Sequence, residues 1–369
     1  MSLFDIISKR ALKIEASEIR KAFDLARSLK DPIDLSIGQP NFEVPDRIKD
    51  AAITAIKSGF NKYTTSQGIP ELRDKLIQRF EQRFGFKPPD LIVTSAVAGA
   101  ITLALMVLLD ENDEVIITDP YFPSYKHMVH ISGGICKFAN TYPDFRLKKE
   151  SFEKLITPRT KIIIISSPCN PTGIAYSKSE IMMLVELADK HNLILISDEI
   201  YNSFLYDTDT LESPIKYYDK TILLDGFSKK YGVPGWRLGY AAGPQEIIER
   251  MTILQQWSFV CAPAPFQKAA VVALDCDMSA QINEFKRRRD LVYSMLKNKF
   301  DVVKPDGAFY FFPKAPNGDA NTFIKKALDN NVLIVPGKAF SEQNTHFRIS
   351  YAVQEQKLLE GLEILNKLV

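Results

Sequence analysis

The chain has 369 residues, 46% of them hydrophobic and 25% charged, enough for at least one large core and, by length, for two domains. Its 47 basic and 45 acidic side chains nearly cancel, so no net field draws it onto nucleic acid or a charged membrane surface, and small-molecule chemistry is the expectation. Four scattered cysteines, Cys136, Cys169, Cys261 and Cys276, form no CxxC pair, and four histidines are few for a metalloenzyme; no metal site is expected, and the cytoplasm is the expected compartment.

The N-terminal stretch through Ser28 is amphipathic and carries both charge signs, unlike a signal peptide. No run reaches the roughly 18 apolar residues of a membrane helix. Residues 1–45 hold helices and the short extended run Ile33 to Ile37, too little for a core of their own, and are expected to pack on the C-terminal part. From about residue 90 to 245, short β-branched runs alternate with helical patterns, the mark of crossover units in a mostly parallel sheet. The predicted strands are Leu91 to Thr94, Glu114 to Thr118, Ile135 to Ala139, Lys161 to Ser166, Leu193 to Ser197, Thr221 to Asp225 and Leu238 to Ala242. Runs such as IIII and LILIS lack polar alternation, as strands covered on both faces do. Helices are predicted over Gly99 to Leu109 and Ser179 to His191, and the pair His127 and His130 is read as structural. After Gly243 a charged helical region, Ile282 to Phe300, leads into the short strands GAFYFFP, VLIVPG and FRISYA. The expected fold is α/β: a large domain over residues 46–279 with a central sheet flanked by helices, and a smaller α/β domain built from residues 1–45 and 280–369.

Four segments end predicted strands with chemically complementary groups: SAVAGA (95–100), SPCNPTG (167–173), SDEIY (197–201) and GFSKKYGVPGWRLGY (226–240). Ligands of open α/β sheets collect at the carboxyl ends of strands, where Lys229 and Arg237 can face an anion. Asp198 ends a buried strand; a carboxylate there needs a cationic partner, and a protonated heterocycle nitrogen is one. The small residues from Ser95 to Ala100 open a helix whose backbone N–H groups can crowd a phosphate. Neither GxGxxG nor GxxxxGK[ST] is present, which disfavours a nucleotide.

Together with IGQPNF (37–42), KYTTSQGIPELR (62–73), NDEVIITDPYFPSY (112–125) and FRISYA (347–352), the last three of those segments give seven in family order. The sequence resembles the aspartate-aminotransferase superfamily, the fold-type I pyridoxal-phosphate enzymes of classes I and II, over essentially its whole length. The resemblance implies that Lys229 holds pyridoxal 5'-phosphate as an imine and later moves the substrate's α-proton, that Asp198 pairs with the ring nitrogen, and that Asn170 and Tyr201 bond the ring's phenolic oxygen. It implies stacking by Phe122, and phosphate binding by Arg237, Ser228, the amides of Ala96, Val97 and Ala98, and Tyr63 from the neighbouring subunit of a homodimer. Arg348 would take the substrate α-carboxylate, next to Gly38 in a closing loop, with Phe122 and Asn170 also facing substrate. Two positions depart from the family: Ala96 and Gly226 stand where glycine and serine are common.

The implied activity is a ping-pong transamination between an L-amino acid, either aspartate or one with an aromatic or large apolar side chain, and a 2-oxo acid such as 2-oxoglutarate. The aromatic segments PYFPSY and GAFYFF suit a large apolar side chain and suit a core equally. A pyridoxal-phosphate C–S lyase on the same fold is the alternative reading, and a cofactor-binding DNA regulator is disfavoured because no basic helix-turn-helix precedes the family match.

Overall fold

The computed structural model describes residues 3–16, 18, 30–208 and 210–369. The amphipathic N-terminal stretch over 19–29 lies outside the described residues. β1 (Ile33–Asp34) pairs in parallel with β10 (Val332–Leu333), which ties this strand to the C-terminal part, whereas the helix Lys9–Leu12 ahead of it lies against the helix Pro123–Ile131 of the large domain, with Arg10 donating to the Ile131 carbonyl; residues 1–45 do not all pack on the C-terminal part as expected.

A seven-stranded sheet is built from β2 (Asp90–Thr94), β3 (Glu114–Asp119), β4 (Ile135–Asn140), β5 (Thr160–Ser166), β6 (Ile194–Asp198), β7 (Thr221–Gly226) and β8 (Gly239–Gly243), in the order β2-β8-β7-β6-β5-β3-β4. All seven expected strands are present, with ends within two residues. β3, β4, β5, β6 and β7 run parallel, whereas β8 is antiparallel to both β2 and β7. That reversal positions the site. The carboxyl ends of β2, β5, β6 and β7 and the amino end of β8 fall on one rim, with Gly239 opposite both Thr94 and Gly226.

The helix Ala96–Leu108 is almost wholly apolar; it packs on the sheet and on the helix Gln245–Ser258 and leaves Met106 half exposed. Helix Lys178–His191 is started by a reciprocal cap, Ser177 with Glu180, and stopped by Asn192 in the left-handed conformation. The charged helix runs from Ser279 to Leu296, three residues earlier than its expected start.

The C-terminal part carries a three-stranded antiparallel sheet, β11 (Val335–Pro336), β12 (Phe347–Ser350) and β9 (Tyr310–Phe311), in the order β11-β12-β9. Its core joins Ile33 and Leu35 to Phe309, Phe311, Phe347 and Leu362. Among the described residues no helix is long and apolar enough to cross a membrane, and no group of three or more His, Cys, Asp or Glu is placed to hold a metal ion.

Candidate active site

The rim of the large sheet and the small sheet enclose a cavity of about 590 Å³ lined by Lys229, Asp198, Tyr201, Asn170, Phe122, Ser228, Arg237, Arg348, Gly38 and the turn Ala96, Val97, Ala98. Twelve of the thirteen residues singled out in the sequence therefore meet. The thirteenth, Tyr63, is 83% exposed and faces a separate surface hollow with Lys62 and Thr64.

Lys229 leaves the turn after β7 and donates from Nζ to the carbonyl oxygen of Gly38 at 2.7 Å. Burial lowers its amine to a pKa of about 8, with the nearby guanidinium groups of Arg348 and Arg237 pushing the same way. Asp198, the last residue of β6, accepts from the Tyr125 hydroxyl at 2.6 Å and from the Ile200 amide at 3.1 Å. Desolvation outweighs those bonds and raises its pKa to about 6; among the described residues no cation pairs with it within 4 Å. Burial shifts each group toward its uncharged form, and each lacks a partner of opposite character.

The cradle next to them is made of backbone. Helix Ala96–Leu108 begins at Ser95, whose side chain makes no capping bond, so the first-turn N–H groups face the cavity uncapped. Ala96 sits at φ 61°, a left-handed conformation that glycine adopts more cheaply. Arg237 is also left-handed, at φ 52°, and donates to the Pro234 carbonyl at 3.1 Å. A serine in place of Gly226 is crowded: its Cβ would lie 3.0 Å from Gly239 Cα and from the Leu238 carbonyl, so that backbone would have to give by a few tenths of an ångström. The packing of β7 on β8 thus favours glycine at one of the two departures from the family.

Opposite Lys229, Arg348 projects from β12 and is 1% exposed. Its guanidinium carbon lies 4.5 Å from the Tyr310 ring centre and 4.7 Å from that of Phe340. One terminal nitrogen donates to Asn170 Oδ1 at 3.0 Å and the other to the Ser36 carbonyl, while Nε is buried without a partner. An arginine fork fixed between two rings with donor capacity to spare fits a carboxylate. Tyr201 does not bond Asn170 or Lys229; its hydroxyl is 2.7 Å from that of Tyr310. Sequence reasoning missed Tyr125 and Tyr310, although both lie in the aromatic segments it singled out, because tyrosines of a core and of a pocket look alike in sequence.

The donor set fits pyridoxal phosphate. An aldehyde suits the depressed amine of Lys229, a protonated ring nitrogen suits Asp198, and a phosphate suits the open amides with Arg237. Comparison with known proteins agrees. Residues 30–365 match the family described as aminotransferase class I and II. The chain is 39% identical to a probable aspartate aminotransferase of Methanocaldococcus jannaschii, covering 98% of this chain and 100% of that one. It is 35% identical to aromatic-amino-acid aminotransferase 2 of Thermococcus litoralis, over 98% of each. The solved aspartate aminotransferase of Thermus thermophilus with maleate superposes with a TM-score of 0.93 at 34% identity, over 98% of this chain and 99% of that one. The chain belongs to the class I and II aminotransferases and is a pyridoxal-phosphate-dependent transaminase.

Proposed function

We propose that this transaminase moves the amino group of aspartate or of an aromatic or large apolar L-amino acid to a 2-oxo acid, with 2-oxoglutarate as the common acceptor, in two successive half-reactions of ping-pong type. The observation that carries the reading is Arg348: a buried fork between Tyr310 and Phe340, with an unpaired Nε, across the cavity from an amine with a depressed pKa. An α-amino acid presents a carboxylate and an amino group one carbon apart, the pair such a site selects.

Bound pyridoxal phosphate supplies an electron sink for negative charge at the substrate's α-carbon. Asp198 would keep the ring nitrogen protonated; Asn170 and Tyr201 would hold the ring's oxygen; Phe122 would cover its face; Arg237, Ser228 and the amides of Ala96, Val97 and Ala98 would hold the phosphate. The Lys229 amine, lowered to a pKa of about 8, would carry the proton at the substrate's α-carbon. Arg348 fixes the carboxylate under the Gly38 loop.

The names of relatives bring both donor classes. Among the described residues the cavity's cations are Lys229, Arg237 and Arg348, all with tasks already, while its remaining lining, Asp198 apart, is uncharged and includes Ile37, Phe122 and Tyr310 beside Gln39 and Ser124. This favours an aromatic or large apolar side chain; an aspartate side chain needs a cation from outside the protomer. A homodimer supplies such an outside group. Its support is apolar surface left open on the protomer, with Trp257 86% and Tyr63 83% exposed and Phe259 and Ile253 also in solvent; Tyr63 would enter the neighbouring site. The four free cysteines support a cytoplasmic location; a core confined to 46–279 supports the division into 46–279 and 1–45 with 280–369, although the second core, which joins Ile33 and Leu35 to Phe309 and Phe347, also takes in Tyr201, Phe204 and Tyr206.

The test is a panel of amino donors with 2-oxoglutarate, followed through the cofactor's absorbance. Amino transfer is expected without release of pyruvate and ammonia; release of those two in place of transfer points to the C–S lyase. Lys229→Ala is expected to lower turnover by about a thousandfold or more and to remove covalent cofactor capture.

A further inference from the structure

In the reading above Tyr310 only flanks Arg348 and lines the cavity, yet it touches three of the groups given tasks there. On β9 and 1% exposed, it places its hydroxyl 2.7 Å from that of Tyr201 and its ring 4.5 Å from the Arg348 guanidinium. The same hydroxyl closes on Gly38, where an added Cβ would fall 2.4 Å from it, and the Gly38 carbonyl accepts from Lys229. The Tyr201 ring has little freedom of its own: Phe309 and Tyr310 meet it edge-on, with ring centres at 5.3 and 5.7 Å. What remains free is the rotation of its O–H bond.

We propose that Tyr310 is a positioning residue of the site: its hydroxyl sets the direction of the Tyr201 proton, and its ring face holds the Arg348 fork level. The proposal rests on the reading that this cavity binds pyridoxal phosphate and an amino acid. Tyr201 owns one proton. If Tyr310 donates to the Tyr201 oxygen, that proton is left to point at the cofactor's phenolic oxygen, and the donated bond strengthens Tyr201 as a donor. Both phenols are largely buried at the wall of the cavity, where each is the other's hydroxyl partner. The ring and the hydroxyl of one side chain thereby tie the carboxylate fork to the group that tunes the cofactor.

Two substitutions separate these contributions in the holoenzyme. Tyr310→Phe keeps the ring and removes the hydroxyl. Tyr201 then donates more weakly to the cofactor oxygen, the protonated cofactor is favoured, and the midpoint of the pH-dependent visible absorbance is expected to rise by about 0.5–1 unit, roughly three- to tenfold in proton affinity. Affinity for unreactive maleate is expected to stay within about twofold. Tyr310→Leu removes the ring and is expected to weaken maleate binding by roughly three- to thirtyfold. In a Tyr201→Phe background the midpoint shift of Tyr310→Phe is expected to vanish; thermal unfolding checks that each variant is folded. An unchanged midpoint in Tyr310→Phe, or an equal shift with and without Tyr201, overturns the hydroxyl's role. Unchanged maleate affinity in Tyr310→Leu overturns the ring's. If the unsubstituted protein gains no visible band with pyridoxal phosphate, the underlying reading fails, and the proposal falls with it.

Discussion

Asp198 and Glu199 are consecutive, both buried, and live in opposite surroundings. Glu199 turns to the side of the sheet away from the cavity, where Arg83, Ser197 and Ser213 donate to it and where Asp225 is bonded by Asn202, Tyr240 and the Gly226 amide. Asp198 turns to the cavity, where it finds a hydroxyl and one amide but no cation. Glu199 is supplied with its partners by the chain; Asp198 is left a partner short. The same shortfall recurs in the lowered pKa of Lys229 and the unpaired Nε of Arg348. Incomplete buried polar groups occur elsewhere too, as at Tyr231 and Gln255; what marks the cavity is that an amine, a carboxylate and a guanidinium left incomplete converge on one space.

Substitutions on the two sides should therefore diverge. Asp198→Asn is expected to lower turnover by roughly a thousandfold and yet to stabilise the cofactor-free protein. The sign follows from linkage: the folded-state pKa of about 6 lies above the ordinary carboxyl value of 3.8, so the ionised carboxylate weakens the fold as pH rises from 4 to 6 and fully above that. Unfolding in urea at pH 8 should show a gain of about 2–3 kcal/mol that shrinks toward pH 4. Arg348→Lys keeps the charge and loses the planar fork; kcat/KM for the amino donor is expected to fall by about a hundredfold. Arg83→Met, on the other side, leaves Glu199 buried and unpaired, and is expected to cost about 2–4 kcal/mol in urea unfolding while kcat changes little. A loss of kcat without loss of stability in that variant would erase the distinction between the two sides. The smallest effect belongs to the phosphate cradle, where Ala96→Gly relieves a left-handed alanine and is expected to raise stability by about 1 kcal/mol.

The parallel strands were legible because IIII (162–165) and LILIS (193–197) carry no polar alternation, and the rim was legible because polar clusters punctuate those runs. The order of the strands was not, since the reversal of β8 is a matter of tertiary pairing with β2 and β7. Tyr125 and Tyr310 escaped notice because their importance lies in which hydroxyl each meets across more than 70 residues of chain, to Asp198 and Tyr201, and no local pattern encodes that. Gly226 was visible as a departure, and its cause, the backbone of Leu238 and Gly239, required the fold.

The central claim, that a desolvated Lys229 waits in an incomplete cavity for an aldehyde, is tested most directly by the rate at which the cofactor-free protein captures pyridoxal phosphate as pH is varied. Capture requires the neutral amine, so with a pKa of about 8 the rate should climb about tenfold per unit below pH 8 and level off above it. A rate still climbing at pH 10, as for an ordinary solvated lysine, or capture that survives in Lys229→Ala, contradicts the account.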